Sequence, residues 1–245
     1  MNKLLLQIFS VLLIFVSLIF GIANSAIKDK KFICNRYILN TYLYIILTFI
    51  IIALQVLIME YNKIKFNPNM ILYVGIFILS LICVIGISVI KAENMILKHG
   101  VWLTFIILMS LMFYPMYMLY SKQKGLIMSS ILTTLILFLG LSFVAYLRPD
   151  LISLSWGPVL FVILIGGILT ELLMMFFVTG NKSNSLKYMS YFFIVLFMLY
   201  ILYDTKRLQV NAKNCVKADY VSESFNLFLD IWNIFIRILS LKGSN

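Results

Sequence analysis

The sequence predicts an all-α integral membrane protein. Three observations carry this reading. Hydrophobic residues make up 63% of the 245 positions, far above a soluble domain. Charged residues make up only 12%. The apolar residues gather into eight runs, most of them close to the ~20 residues that a spanning helix needs.

The first run covers 4–23. Lys3 precedes it and Ala23-Asn-Ser25-Ala26 follows it, a pattern similar to a signal peptide with a small-residue cleavage site. Cleavage would leave Lys28, Lys30, Lys31 and Arg36 on the non-cytoplasmic side, against the positive-inside rule. The expectation is therefore an uncleaved, added helix, with 1–25 set apart from a main domain at 26–245.

The next six runs cover 39–59, 70–90, 101–120, 125–146, 156–178 and 186–203. Pro115 is the only proline well inside a run and is expected to kink it. Gly166-Gly167 with Thr170 supplies a small-residue face for close helix packing.

The eighth run, 220–241, is less apolar because it carries Glu223, Asp230 and Arg237. Its polar residues are ordered. Ser222, Asn226, Asp230, Asn233 and Arg237 follow one another at spacings of 4, 4, 3 and 4, which puts them on one helical face. An interfacial helix usually carries many Lys and Arg on such a face. Asn, Asp and a single Arg favour a central helix with its stripe turned inward.

Lys and Arg in alternate loops give a weak orientation. One side holds eleven and the other eight, with Arg237 left out because it lies inside a span. This bias puts the loop 205–219 in the cytoplasm and the sequon Asn181-Lys-Ser183 outside. The net charge is +11, but the cations are scattered through short loops without a basic stripe. That excludes a nucleic-acid reading and leaves lipid headgroups as the partner.

Cys34, Cys83 and Cys215 are odd in number and widely spaced, and are read as free thiols. His99 is read as a solvated loop residue. The sequence has no HExxH, no GxGD-like aspartyl motif, no Ser with a plausible His partner and no Gly-rich nucleotide loop. No enzyme, cofactor or resident metal is expected.

Of the nine acids, only Glu171 and Asp230 lie deep in apolar sequence, while Asp204 closes the stretch beginning at Tyr191. A carboxylate in hydrocarbon is costly and marks a functional site by default. Asp204 could pair with Arg207 three residues on. It could equally meet Asp230 across neighbouring helices. Two close carboxylates cannot both ionise cheaply, so such a pair would titrate as a unit. Glu171 reads either as an acid hydrogen-bonded to a neighbouring helix or as a pathway residue for protons or cations.

Leu199-Tyr-Ile-Leu-Tyr-Asp204-Thr-Lys-Arg and Asp219-Tyr-Val-Ser-Glu-Ser-Phe-Asn-Leu-Phe-Leu-Asp230-Ile-Trp-Asn-Ile-Phe-Ile-Arg resemble the C-terminal signature of the transmembrane Bax inhibitor motif family. Trp102-Leu-Thr-Phe, Pro115 and Arg36-Tyr37 add weaker support. The resemblance implies a bundle of seven helices around a central C-terminal helix, here with the extra N-terminal helix. It implies a pH-sensitive calcium leak linked to suppression of cell death, in the endoplasmic reticulum or another endomembrane. The plasma membrane and the mitochondrial inner membrane are the alternatives.

In that reading Asp204 and Asp230 form the pH sensor and gate and offer transient oxygen ligands to calcium, with Glu171 further along the pathway. Asn226, Asn233 and Arg237 support the stripe. Family members can carry a latching Arg at the cytoplasmic end of the second helix. Here that region offers Lys91, which lacks the bidentate fork, and Arg207 is the other candidate latch. Two rival expectations stand beside the leak. One is a non-conducting adaptor that acts through membrane-bound cell-death regulators. The other is a cation–proton exchanger using the same carboxylates.

Overall fold

A computed structural model describes residues 3–28, 31–66, 68–177 and 182–243. The sequon at Asn181 lies outside the described residues. Among the described residues, eight helices are long and apolar enough to cross a membrane. They are α1 (Lys3–Ala26), α2 (Tyr37–Tyr61), α3 (Met70–Val89), α4 (Met95–Tyr120), α5 (Leu126–Leu147), α6 (Trp156–Phe177), α7 (Lys182–Lys213) and α8 (Tyr220–Gly243). The remaining regular structure is a two-residue ladder and a single 3-10 turn, Pro149–Leu151. In the ladder Ile27 pairs with Phe32 and Lys28 with Lys31.

Two of the helices outrun their apolar stretches. α7 continues to Lys213, so Asp204 lies inside the helix and not at its end. Residues 205–213 are mostly good helix formers, and nothing there breaks the pattern. α4 starts at Met95, so Lys98 and His99 occupy its first turns. The loop reading of His99 is therefore corrected. Its Nδ1 lies 2.7 Å from the Met95 carbonyl and its Nε2 lies 3.0 Å from the Tyr44 hydroxyl.

The chain forms two compact units. The first comprises 1–122 and 214–225, which is α1 to α4 with the opening turns of α8. Within it α1 packs on α2, α2 on α4 and α3 on α4. Ser25 donates to Asn40 Oδ1 at 2.6 Å, tying α1 to α2. The outer face of α1 is bare, with Phe9 58% and Phe20 69% exposed, as suits a helix against lipid. Trp102, Phe105, Ile106 and Tyr114 of α4 are buried, and Phe105 meets Phe225 edge-on at 4.8 Å. Hydroxyls inside these helices are satisfied locally. Thr41, Thr48 and Ser80 each donate to the carbonyl four residues back.

One sequence reading is overturned in this unit. Cys34 and Cys215 form a disulfide, with Cα atoms 5.9 Å apart. The two cysteines are 181 residues apart, so spacing gave no hint of the bond. It exists because the turn before α2 and the loop before α8 are brought together. Cys83 is free and buried.

The second unit comprises 123–213 and 226–245, which is α5, α6, α7 and the rest of α8. α7 packs on both α5 and α6. Gly167 of α6 makes the close approach that its small size allows. A Cβ there would lie 2.9 Å from the Phe192 ring and 3.1 Å from Phe193. Gly166, by contrast, faces open space. Ser142 and Thr205 meet at 3.4 Å, and Gln209 donates to the Ala145 carbonyl at 3.2 Å, linking α5 to α7.

Candidate functional site

α8 carries the site, and its start is firmly held within the first unit. Asp219 caps the helix by accepting the Ser222 amide at 3.1 Å on Oδ1. Its other oxygen accepts Lys98 Nζ at 2.5 Å. The same ammonium donates to the Ile90 carbonyl at the end of α3, at 2.8 Å. Lys98 is buried, with its side chain only 3% exposed. Tyr220 donates to the Ile33 carbonyl, and Lys217 pairs with Glu93. Lys91, the candidate latch in the sequence, is exposed at the turn between α3 and α4. The buried lysine nearby is Lys98, in the first turn of α4, which the apolar run starting at 101 had left outside the helix.

From residue 226 onward α8 belongs to the second unit. Asp230 is 4% and Asp204 6% exposed. The two carboxyl groups lie against each other, within hydrogen-bonding reach. A bond between two carboxyls needs a proton on one of them, because an ionised carboxylate only accepts. Asp204 also meets Arg207 Nη1 at 3.2 Å. Asp204 thus pairs with Arg207 and also lies beside Asp230. With one shared proton, Asp204, Asp230 and Arg207 sum to zero charge. Oδ2 of Asp230 is buried and has no hydrogen-bond partner among the described residues.

The other stripe residues divide. Asn233 donates to the Leu229 carbonyl at 2.7 Å and so braces its own helix. Asn226 is half-buried on the same face. Arg237 grips Glu171 of α6 with both guanidinium arms, one of them at 2.6 Å. The guanidinium also lies over the Phe193 ring of α7, 4.4 Å from its centroid. Glu171 is thus ion-paired, a partner that spacing could not supply because 66 residues separate the two.

No group of three or more His, Cys, Asp or Glu suited to a metal ion occurs among the described residues.

Comparison with known proteins agrees with this architecture. No solved structure matches the chain. A BI1-like protein from Arabidopsis thaliana is 27% identical over 181 residues, which is 73% of this chain and 58% of the relative. The aligned part thus spans little more than half of that relative's length. The family model described as "Inhibitor of apoptosis-promoting Bax1" matches residues 34–245, from the disulfide cysteine before α2 to the C-terminus. It takes in the acid pair, the Lys98–Asp219 clamp and the Glu171–Arg237 pair. On that match this multi-pass membrane protein belongs to the Bax inhibitor family.

Proposed function

We propose that the protein is a pH-sensitive calcium leak of an endomembrane, and that the Asp204–Asp230 pair is its sensor and gate. The observation that carries this reading is the buried acid pair itself. Two buried carboxyls face each other on neighbouring helices, and in this reading a single shared proton holds them together. That state is the closed one. Adding a second proton removes the charge that holds Arg207 against Asp204. Removing the shared proton sets two carboxylates against each other in a buried site. Titration in either direction loosens α7 from α8, so flux is lowest where the pair holds one proton. Once the pair parts, Asp230 Oδ2 is free to ligate a hard cation. Family membership connects the leak to suppression of cell death, through the membrane and its resident regulators. No catalytic step or resident cofactor is part of this function.

A second reading is favoured by the charge balance at the same pair. Without its proton the cluster of Asp204, Asp230 and Arg207 carries a net negative charge that a cation can neutralise. Cation and proton would then alternate, making an exchanger. Stoichiometric proton movement against calcium separates the exchanger from the leak.

The test is calcium flux into liposomes holding the purified protein, across a pH series, for wild type and Asp230→Asn. The leak reading expects a pH-dependent flux in wild type and loss of its rise at high pH in the variant, since the amide leaves no second carboxylate to repel Asp204. An unchanged pH profile in Asp230→Asn would remove the sensor assignment. No flux above empty liposomes at any pH would leave the non-conducting adaptor.

A further inference from the structure

We propose that Glu171 and Arg237 form a second ionic lock, in series with the acid pair along α8, and that the charge on Arg237 limits the passage of cations. The proposal rests on the leak reading above and adds a determinant of its conductance.

Arg237 follows Asp230 by seven residues on the polar stripe of α8. That is two helical turns, or about 10 Å along the axis. The next ionised group a cation meets along this stripe is therefore a guanidinium, which keeps its charge at any accessible pH. The guanidinium is held by three helices: its own α8, α6 through Glu171, and α7 through the face of Phe193. The bidentate grip fixes its position as well as its charge. Both side chains are about a fifth exposed, so the pair is turned largely into the protein and away from lipid.

Stability alone is a poor reason for such a pair. A buried ion pair rarely improves on apolar residues of the same volume. Ionisable groups kept within a span instead mark a route for ions or protons. Locked, the pair is neutral and its cation repels calcium. Unlocked, Glu171 becomes an oxygen ligand two turns beyond Asp230. The two locks differ in kind. The acid pair depends on a proton, whereas Glu171 and Arg237 need none, so the second lock sets the size of the leak and not its pH response.

This predicts opposite effects from the two partners, which a purely structural clamp does not. Calcium flux would be measured in liposomes for wild type, Arg237→Gln, Glu171→Gln and Arg237→Lys. Monodispersity in detergent serves as the folding check. Arg237→Gln removes the repelling charge and frees Glu171, so flux rises severalfold with the pH profile intact. Glu171→Gln leaves the cation unpaired in the path, so flux falls. Arg237→Lys keeps the charge but loses the fork, so flux stays near wild type.

Folded variants whose flux moves in the same direction, or not at all, overturn the lock while leaving the acid-pair sensor standing. If Arg237→Gln does not fold, Glu171→Gln carries the test alone, and flux at or above wild type overturns the lock. Absence of wild-type flux removes the leak reading and the lock with it.

Discussion

Two stretches of α8 hold acids, and they hold them in opposite company. At its start, Asp219 faces the buried ammonium of Lys98 at 2.5 Å. In its middle, Asp230 faces Asp204, a second carboxyl. The first pair is neutral as it stands and needs no proton. It also closes the helix cap and the end of α3, and its Asp219 follows the disulfide cysteine Cys215 by four residues. The second pair, in the function proposed above, holds together while a proton is shared. One end of the helix is thus held by opposite charges, and in the proposed function the other is conditional on a proton.

The largest expected effect comes from breaking the anchored end. Asp219→Ala strips the partner from Lys98, whose side chain is 3% exposed, and removes the cap of α8. An uncompensated buried charge costs about 3 kcal/mol or more, which should appear as a fall in the thermal midpoint in detergent. If the midpoint stays put, Lys98 is solvated after all and the contrast between the two ends of α8 disappears.

Next comes the covalent tether. Cys34→Ser opens the bond to Cys215 and should cost about 2 kcal/mol, the low end for a disulfide, because helices in a membrane leave less loop entropy to restrict. Wild type should lose the same amount on reduction, and the variant should not respond to reductant. The bond also bears on orientation. Disulfides persist on the oxidising side of a membrane, whereas the Lys and Arg bias of eleven to eight puts these loops in the cytoplasm. The disulfide predicts the opposite orientation. In sealed vesicles, an impermeant maleimide should reach Cys34 and Cys215 only after reduction and only from the oxidising face. Labelling from the cytosolic face without reductant would restore the charge-based orientation.

The conditional end should respond differently. Asp230→Asn keeps a hydrogen bond to Asp204 without a shared proton, so stability should change by less than about 1 kcal/mol while the rise of flux at high pH is lost. A large loss of stability in this variant would recast the acid pair as an anchor like the one at Asp219.

These differences also explain what the sequence could and could not reveal. Eight spans were legible because hydrocarbon demands long apolar runs. The inward stripe of α8 was legible because spacings of 4, 4, 3 and 4 follow the helical period. Asp204 and Asp230 stood out because acids are rare in such sequence. Lys98 did not, since it lies beyond the apolar run and its partner is 121 residues away. The same holds for Cys34 with Cys215 and for Glu171 with Arg237. Periodicity reports which face a residue occupies. It carries no information on which distant segment faces it, and every pairing missed here is long-range.

The smallest effect is expected at an ion pair that looks better on paper than Lys98 with Asp219. Arg148 holds Asp150 through both of its oxygens, at 3.1 and 3.2 Å, in the turn between α5 and α6. The hydrogen bonds from Arg148 lower the Asp150 pKa from its ordinary value. A carboxylate with a lowered folded-state pKa adds stability above its unfolded value, and that gain is lost as pH falls through the folded value. Here the gain should be too small to see. The two side chains are 62% and 61% exposed, and water screens the pair almost completely. Arg148→Ala should therefore leave the thermal midpoint unchanged from neutral pH down through the carboxylate range. At Lys98 and Asp219 one contact replaces hydration that burial has already removed, and at Arg148 and Asp150 two contacts compete with hydration that is still there. A measurable loss in Arg148→Ala would mean that contact geometry governs these pairs, and the ranking by burial would have to be abandoned.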